Sequence, residues 1–411
     1  MSLSKTTAAS ETAVALPAPA VANRHLAITA VYFAVFVALG LTSASLGPTL
    51  LGLAERTGSA LGQIGFLFTA RSLGYLFGSL LGGRMYDRMA GNLVMGGMLL
   101  GVACMLAMIP FSTLLWMLTI VLLVIGLCEG MVDVGGNTML VWIYQEKVGP
   151  YMNGMHFFFG VGALLSPLVV VLVAQLGGAT TAGAGIPWTY WTLAILVAPV
   201  ALSVMRLPSP VAPHAAEGSA TARADNRLVF LLALIFFLVV GAEVGIAGWI
   251  HTYAFETGVA SIATAAYLTS AFWGALTVGR LLSIPLAMRL RPRFILLSDI
   301  LGCIASICVI IIWPTAAWAV WVGALGSGLA MASFFPTVLS FAERRMTITG
   351  RVTSWFFVGS SIGGMTLPWF MGHIFETQGP RAMMSIVLAA LVLSLIVYFV
   401  IVAWTEKRES A

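Results

Sequence analysis

Six ionisable residues stand inside long apolar runs: Arg71, Glu129, Asp133, Glu243, Arg280 and Asp299. A charge at the centre of a bilayer costs about 2.5–3.5 kcal/mol on insertion scales, so such residues face a cavity or a partner and mark ion or solute paths. Glu129, Asp133 and Asn137 are spaced i, i+4, i+8. On a helix they form one stripe with a rise of about 6 Å per step. Two carboxylates one turn apart repel when both are ionised, so one of them takes up a proton readily, and a bound Na⁺ would serve the same purpose. A static ion pair, for example Glu129 or Asp133 with Arg71, is the competing reading. Arg71 stays charged at any working pH and needs an acid beside it. Gly74, Gly78 and Gly82 follow it at four-residue intervals, a pattern that lets another helix come close.

Glu243 has Gly241 and Gly245 as near neighbours, with Trp249 and Tyr253 at +6 and +10. The glycines predict a bend or break in this helix where it faces a cavity. Carboxylates and aromatic rings suit sugars: the acid accepts from hydroxyls, and the ring packs on the apolar C–H face. Tyr253 also reads as an interface anchor. His156, with Asn153 before it and Phe157, Phe158 and Phe159 after it, opens another helix. Arg280 and Asp299 flank one basic loop at matching depths, which predicts a structural ion pair between them. The substrate-binding candidates are therefore Asn137, Asp133, Glu243, Trp249, His156 and Tyr253. The ion-coupling candidates are Glu129, Asp133, Glu243 and Arg71.

These residues need helices in a membrane to position them. Of 411 residues 60% are apolar and 9% charged, with a mean hydropathy of +1.01; soluble proteins carry about 25% charged residues. That excludes a soluble enzyme, a disordered chain and a nucleic-acid-binding protein. No nucleotide loop and no Cys/His metal spacing is present, so neither an enzyme nor an ATP-driven pump is expected, and no cofactor beyond a coupled H⁺ or Na⁺. Cys104, Cys128, Cys303 and Cys308 all lie in apolar runs, as packing residues do. Twelve segments are long enough to span: 26–53, 61–83, 92–111, 113–143, 151–176, 188–206, 228–255, 262–288, 294–313, 315–341, 351–374 and 381–404. With the N-terminus inside, the cytoplasmic loops and tails hold sixteen Lys and Arg, and the opposite loops only Arg56 and Arg381. Both termini are thus expected in the cytoplasm. The net charge of +5 fits those loops and implies no polyanionic partner.

The organisation read from this is a cytoplasmic tail (1–25), a six-helix bundle (26–206), a Pro-containing cytoplasmic linker (207–227), a second six-helix bundle (228–405) and a short tail (406–411). The bundles repeat each other about 200 residues apart. "AERTG" ending at Gly58 faces "AFETG" ending at Gly258, Arg88 falls on Arg289, and "GVGALLSPL" faces "SSIGGMTLPW", which sets Gly162 near Gly363 and Pro167 near Pro368. A duplicated six-helix unit suits alternating access, with the solute between the halves near the midplane.

"GGRMYDRMAG" after the second segment resembles the loop signature of the major facilitator superfamily. Gly83, Asp87 and Arg88 fit it, Gly91 falls one position late, and the trailing basic pair is missing. "EGMVDVGGNTMLVWIY", "MNGMHFFFGVGALLSPL" and "GAEVGIAGWIHTYAFETG" resemble the fucose/glucose symporter branch, which includes the sodium-dependent glucose transporter 1 relatives. The resemblance implies an all-α membrane protein with twelve transmembrane helices in two pseudo-symmetric six-helix bundles. It brings helices 2 and 4 together, so that Glu129 or Asp133 partners Arg71. It places a cavity-facing polar residue at His156 and assigns the acid/Asn pair of helix 4 to Asp133 and Asn137. It makes Gly83, Asp87 and Arg88 gating residues that meet the start of helix 11. One departure matters. Fucose-type relatives relay the proton through an acid in helix 1, whereas "ALGLTSASLGPTL" has only Thr42, Ser43 and Ser45. Coupling must then use Glu129, Asp133 or Glu243, or Na⁺ held by hydroxyls and carbonyls around Gly40 and Gly47.

The expected function is cation-coupled symport of a small polar solute such as a monosaccharide, by a monomer in a lipid bilayer, in a bacterial inner (plasma) membrane. The alternative is a proton-coupled exporter of drug-like or lipophilic compounds, which the 23 Phe and 20 Met would suit.

Overall fold

The computed structural model describes residues 18–86, 88–178, 181–210, 226–346 and 350–409. In hydrocarbon each backbone N–H and C=O must find its partner inside the protein, and helices achieve this segment by segment. The described residues form fifteen α-helices. The first half holds α1 (Ala18–Ser43), α2 (Leu46–Thr57), α3 (Leu61–Ile64), α4 (Phe66–Tyr86), α5 (Gly91–Met108), α6 (Leu115–Tyr144), α7 (Gly149–Leu176) and α8 (Ile186–Met205). The second holds α9 (Asn226–Glu256), α10 (Ile262–Arg289), α11 (Pro292–Ile312), α12 (Ala317–Met331), α13 (Phe334–Glu343), α14 (Gly350–Gln378) and α15 (Pro380–Glu409). Three spans are each made of two helices, α1–α2, α3–α4 and α12–α13, which brings fifteen helices to twelve spans. Among the described residues eleven spans are long and apolar enough to cross a membrane by composition alone. The exception is α14, whose Gly359, Ser360, Ser361, Gly363, Gly364 and Thr366 dilute its apolar content.

The two halves pair their helices in the same way. In the first, α1 packs on α7, α4 on α6 and α5 on α8; in the second, α9 packs on α14, α10 on α12 and α11 on α15. The register repeats as well. A side chain on Gly162 would strike the Val37 carbonyl, and one on Gly363 the Phe237 carbonyl about 200 residues on. The turns at Gly58 and Gly258 have φ of 62° and 72°, and those at Gly178 and Gly379 have 64° and 81°; glycine adopts this left-handed region without strain.

Sequence and structure part company at α9. The helix runs unbroken from Asn226 to Glu256, through the glycines beside Glu243. Gly241 and Gly245 instead admit α14: a Cβ on the first would lie 2.9 Å from the Gly363 carbonyl, and on the second 2.6 Å from Met371 Sδ. The breaks fall at Ala44–Ser45, Gly65 and Ala332–Ser333.

Candidate functional site

Gly74, Gly78 and Gly82 bring α4 against α6. A Cβ on Gly74 or Gly78 would run into the carbonyls of Leu123 or Leu127, and Gly126 and Gly130 of α6 answer against the carbonyls of Arg71 and Tyr75. This backbone-to-backbone approach sets two side-chain pairs one turn apart. In the first, Arg71 donates from Nε to Glu129 Oε2 and from Nη2 to Oε1, both at 2.8 Å. The same guanidinium donates to the Ser43 carbonyl at 2.9 Å and to Ser43 Oγ at 2.8 Å. Ser43 ends α1, where the helix break frees its carbonyl. In the second pair the Tyr75 hydroxyl donates to Asp133 Oδ2. Asn137 Nδ2 donates to Asp133 Oδ1 at 3.0 Å and to the Asp133 carbonyl at 2.9 Å.

The stripe of three residues therefore divides. Glu129 is 2% exposed and fully engaged by Arg71. Asp133, Asn137 and Tyr75 are half-buried and carry no cation partner among the described residues. The helix 1 hydroxyls expected near a coupled Na⁺ each take part in a hydrogen bond. Ser43 serves Arg71, Thr42 Oγ1 donates to the Ala38 carbonyl and Ser45 Oγ to the Thr42 carbonyl, the last two at 2.8 Å.

In the second half the expected Arg280–Asp299 pair does not form. Asp299, 7% exposed, accepts instead from Ser333 Oγ at 2.7 Å, because the break between α12 and α13 delivers that hydroxyl to it. Arg280 turns the other way, toward the first half, and Nη1 donates to the His156 carbonyl of α7 at 3.3 Å. It lies near enough to Glu243 for the charges to attract, though no ion pair joins them. Glu243 is half-buried on α9. The His156 ring packs edge-on against Phe36 at 5.7 Å, and Tyr253 is buried toward the end of α9.

Trp249 does not line this space. It is fully buried, packed between Phe68 at 6.1 Å and Phe375 at 6.2 Å and against Gly65 and Gly372, and its Nε1 donates to the Pro368 carbonyl at 3.0 Å. Around it the halves are tied by Thr69 Oγ1 to the Met365 carbonyl at 2.9 Å and by Gly62 N to Glu376 Oε1 at 2.8 Å. These contacts form a seal on the face opposite the termini. At the other face Gly83 and Arg88 are exposed, while Asp87 lies outside the described residues.

The profile of the Major Facilitator Superfamily matches residues 31–368. The chain belongs to that superfamily. Sodium-dependent glucose transporter 1 of Xenopus laevis is 33% identical over 356 residues, covering 80% of this chain and 72% of the relative. In fold the chain is similar to the nucleoside transporter NupG (TM-score 0.69, 17% identity, 93% and 98% of the two chains). It is likewise similar to a single-residue variant of the E. coli fucose:proton symporter FucP (TM-score 0.63, 17% identity, 92% and 99%). The protein is thus an integral membrane transporter of the superfamily and not an enzyme, as its composition and duplication imply.

Three members of the site have no counterpart among the residues expected from sequence. Tyr75 stands four residues after Arg71, as Asp133 stands four after Glu129, so the doubled i, i+4 spacing on two helices is the signal that points to it. Ser333 also has a signal, since Pro336 lacks the N–H that would bond the Ala332 carbonyl and so sets the helix break beside Ser333. Glu376 sits in the last turns of α14, where an exposed acid is unremarkable by sequence alone.

Proposed function

We propose that this superfamily member works by alternating access as a cation-coupled symporter of a small neutral polar solute, with a monosaccharide as the solute class. The observation that supports this best is the pair of half-buried carboxylates on opposite halves, Asp133 of α6 and Glu243 of α9, neither in an ion pair among the described residues. A solute held between them is bound by both halves, and interactions that form only on closure are what let a ligand drive a conformational change. The 33% identity to a sodium-dependent glucose transporter favours the same solute class. In this reading Asp133 carries the coupled H⁺ or Na⁺, Asn137 and Glu243 hold the solute, and both termini face the cytoplasm. The test is uptake of a labelled sugar panel into proteoliposomes with H⁺ and Na⁺ gradients imposed separately. Accumulation of a hexose under one gradient supports the proposal. Extrusion of lipophilic cations without hexose uptake favours the exporter.

A further inference from the structure

Sugar hydroxyls donate and accept, whereas ionised Asp133 and Glu243 only accept. A site of that kind needs donors, and α10 presents them. Trp273, Thr277 and Arg280 stand at i, i+4 and i+7, on one helical face. That face is turned to α7 of the other half. The Trp273 ring meets Phe159 edge-on at 6.2 Å, a side chain on Gly160 would run into Thr277, and Arg280 reaches the His156 carbonyl. Thr277 spends its hydroxyl within the helix, on the Trp273 carbonyl at 2.8 Å.

The other two are unspent. Trp273 is half-buried, and its indole N–H is shielded with no partner among the described residues. Arg280 has five N–H donors and a single hydrogen bond among the described residues, at 3.3 Å to a neutral carbonyl. Folded proteins seldom leave buried donors unmet, and those that persist ask for a partner that arrives later. Trp249, the aromatic wall expected from sequence, is committed to the seal.

We propose that Trp273 and Arg280 are the hydrogen-bond donors for the solute, each reading one hydroxyl. This rests on the monosaccharide reading of the site. It adds specificity, because donors read the hydroxyl lone pairs that the acids cannot.

The experiment measures binding of the parent hexose and its monodeoxy analogues to the full-length protein in detergent, for wild type, W273F, R280Q and R280K. W273F keeps an aromatic ring to pack on Phe159 and removes the N–H. It is expected to weaken the parent sugar about 5–20-fold while leaving one deoxy analogue unchanged. R280Q is expected to do the same for a different hydroxyl, with partial rescue in R280K. Equal loss for every analogue, or no loss for any, overturns the assignment and leaves Trp273 as packing. A wild type that binds no hexose overturns the monosaccharide reading first and this assignment with it. Wild-type binding with unaltered variants overturns the assignment alone.

Discussion

Ser43 and Glu243 hold equivalent places in the two halves, about 200 residues apart, and each has an arginine from the second span of its own half: Arg71 hydrogen-bonds Ser43, and Arg280 is within electrostatic reach of Glu243 without pairing to it. The two arginines are not themselves repeat equivalents, since at that offset Arg71 falls on Ala271 or Phe272, and the acids differ as well. In the first half the balancing carboxylate is Glu129 of α6, which grips Arg71 with two hydrogen bonds. In the second half it is Glu243 itself, not ion-paired to its arginine. Glu129 is therefore matched by Arg71, whereas Glu243 is left without an ion pair among the described residues.

From this asymmetry, Glu243→Gln is expected to weaken solute binding about 10–100-fold, since a hydrogen bond to a charged group is worth about 1.5–3 kcal/mol. Gln keeps the size, so the thermal midpoint in detergent should hold steady. Binding isotherms over a hexose panel check it, and unaltered affinities would remove Glu243 from the site.

The Arg71–Glu129 pair should behave as structure. Arg71→Gln leaves Glu129 buried without a counter-charge, and breaking such a pair costs about 3–5 kcal/mol. The double variant Arg71→Gln, Glu129→Gln removes both charges and should recover most of that loss. Thermal unfolding of the four proteins in the cycle gives the coupling. A double variant as unstable as the single one would show that the loss does not come from the stranded Glu129 charge.

Coupling should follow Asp133 rather than Glu129, because the Glu129 charge is already matched by Arg71. Asp133→Asn is expected to abolish accumulation against a gradient and to preserve counterflow exchange, which needs the solute site but no ion. Tyr75→Phe, which removes the hydroxyl donated to Asp133, should lower accumulation in part. Proteoliposome uptake and counterflow separate the two activities; full accumulation in Asp133→Asn would place the coupling site elsewhere.

What is legible in the sequence is whatever depends on chain-local pattern. Span positions follow from apolar length, the duplication from matching segments about 200 residues apart, and a close helix contact along α4 from glycines at four-residue spacing. That Arg71 needs an acid is also legible, and the superfamily resemblance narrows it to Glu129 or Asp133; the structure selects Glu129. What stays hidden depends on rotation about a helix axis. Arg280 and Asp299 match in depth, yet depth does not fix which way each points, and Arg280 turns to α7 while Asp299 meets Ser333. Trp249 departs from expectation for the same reason: a ring six residues from an acid can face the cavity or the seal, and only the packing of Phe68 and Phe375 around it decides. The glycines of α9 are visible as weak points, but α14 fills the space beside them and the helix stays whole.

The two faces should be gated by acids working in opposite senses. Glu376, near the end of α14, accepts from Gly62 N at the start of α3, where a second-span backbone N–H has no helical partner. The sequence places Asp87 at the opposite end of that same span, and we propose it as the matching latch against the start of α14. Each acid would thus tie one end of the second span to one end of the eleventh, Glu376 when the face opposite the termini is shut and Asp87 when the terminus face is shut. A hydrogen bond to a charged group is worth about 1.5–3 kcal/mol. Solvent at the exposed Glu376 reduces that, so a shift of about 5–10-fold in population is expected for Glu376→Ala. Labelling of a cysteine placed at Thr69, within the seal, should speed up by that factor in Glu376→Ala and slow in Asp87→Ala. Transport should fall in both, while equilibrium solute binding changes little. If both substitutions move the labelling rate in the same direction, the two acids are not opposed latches, and the seal rests on the packing of Trp249 alone.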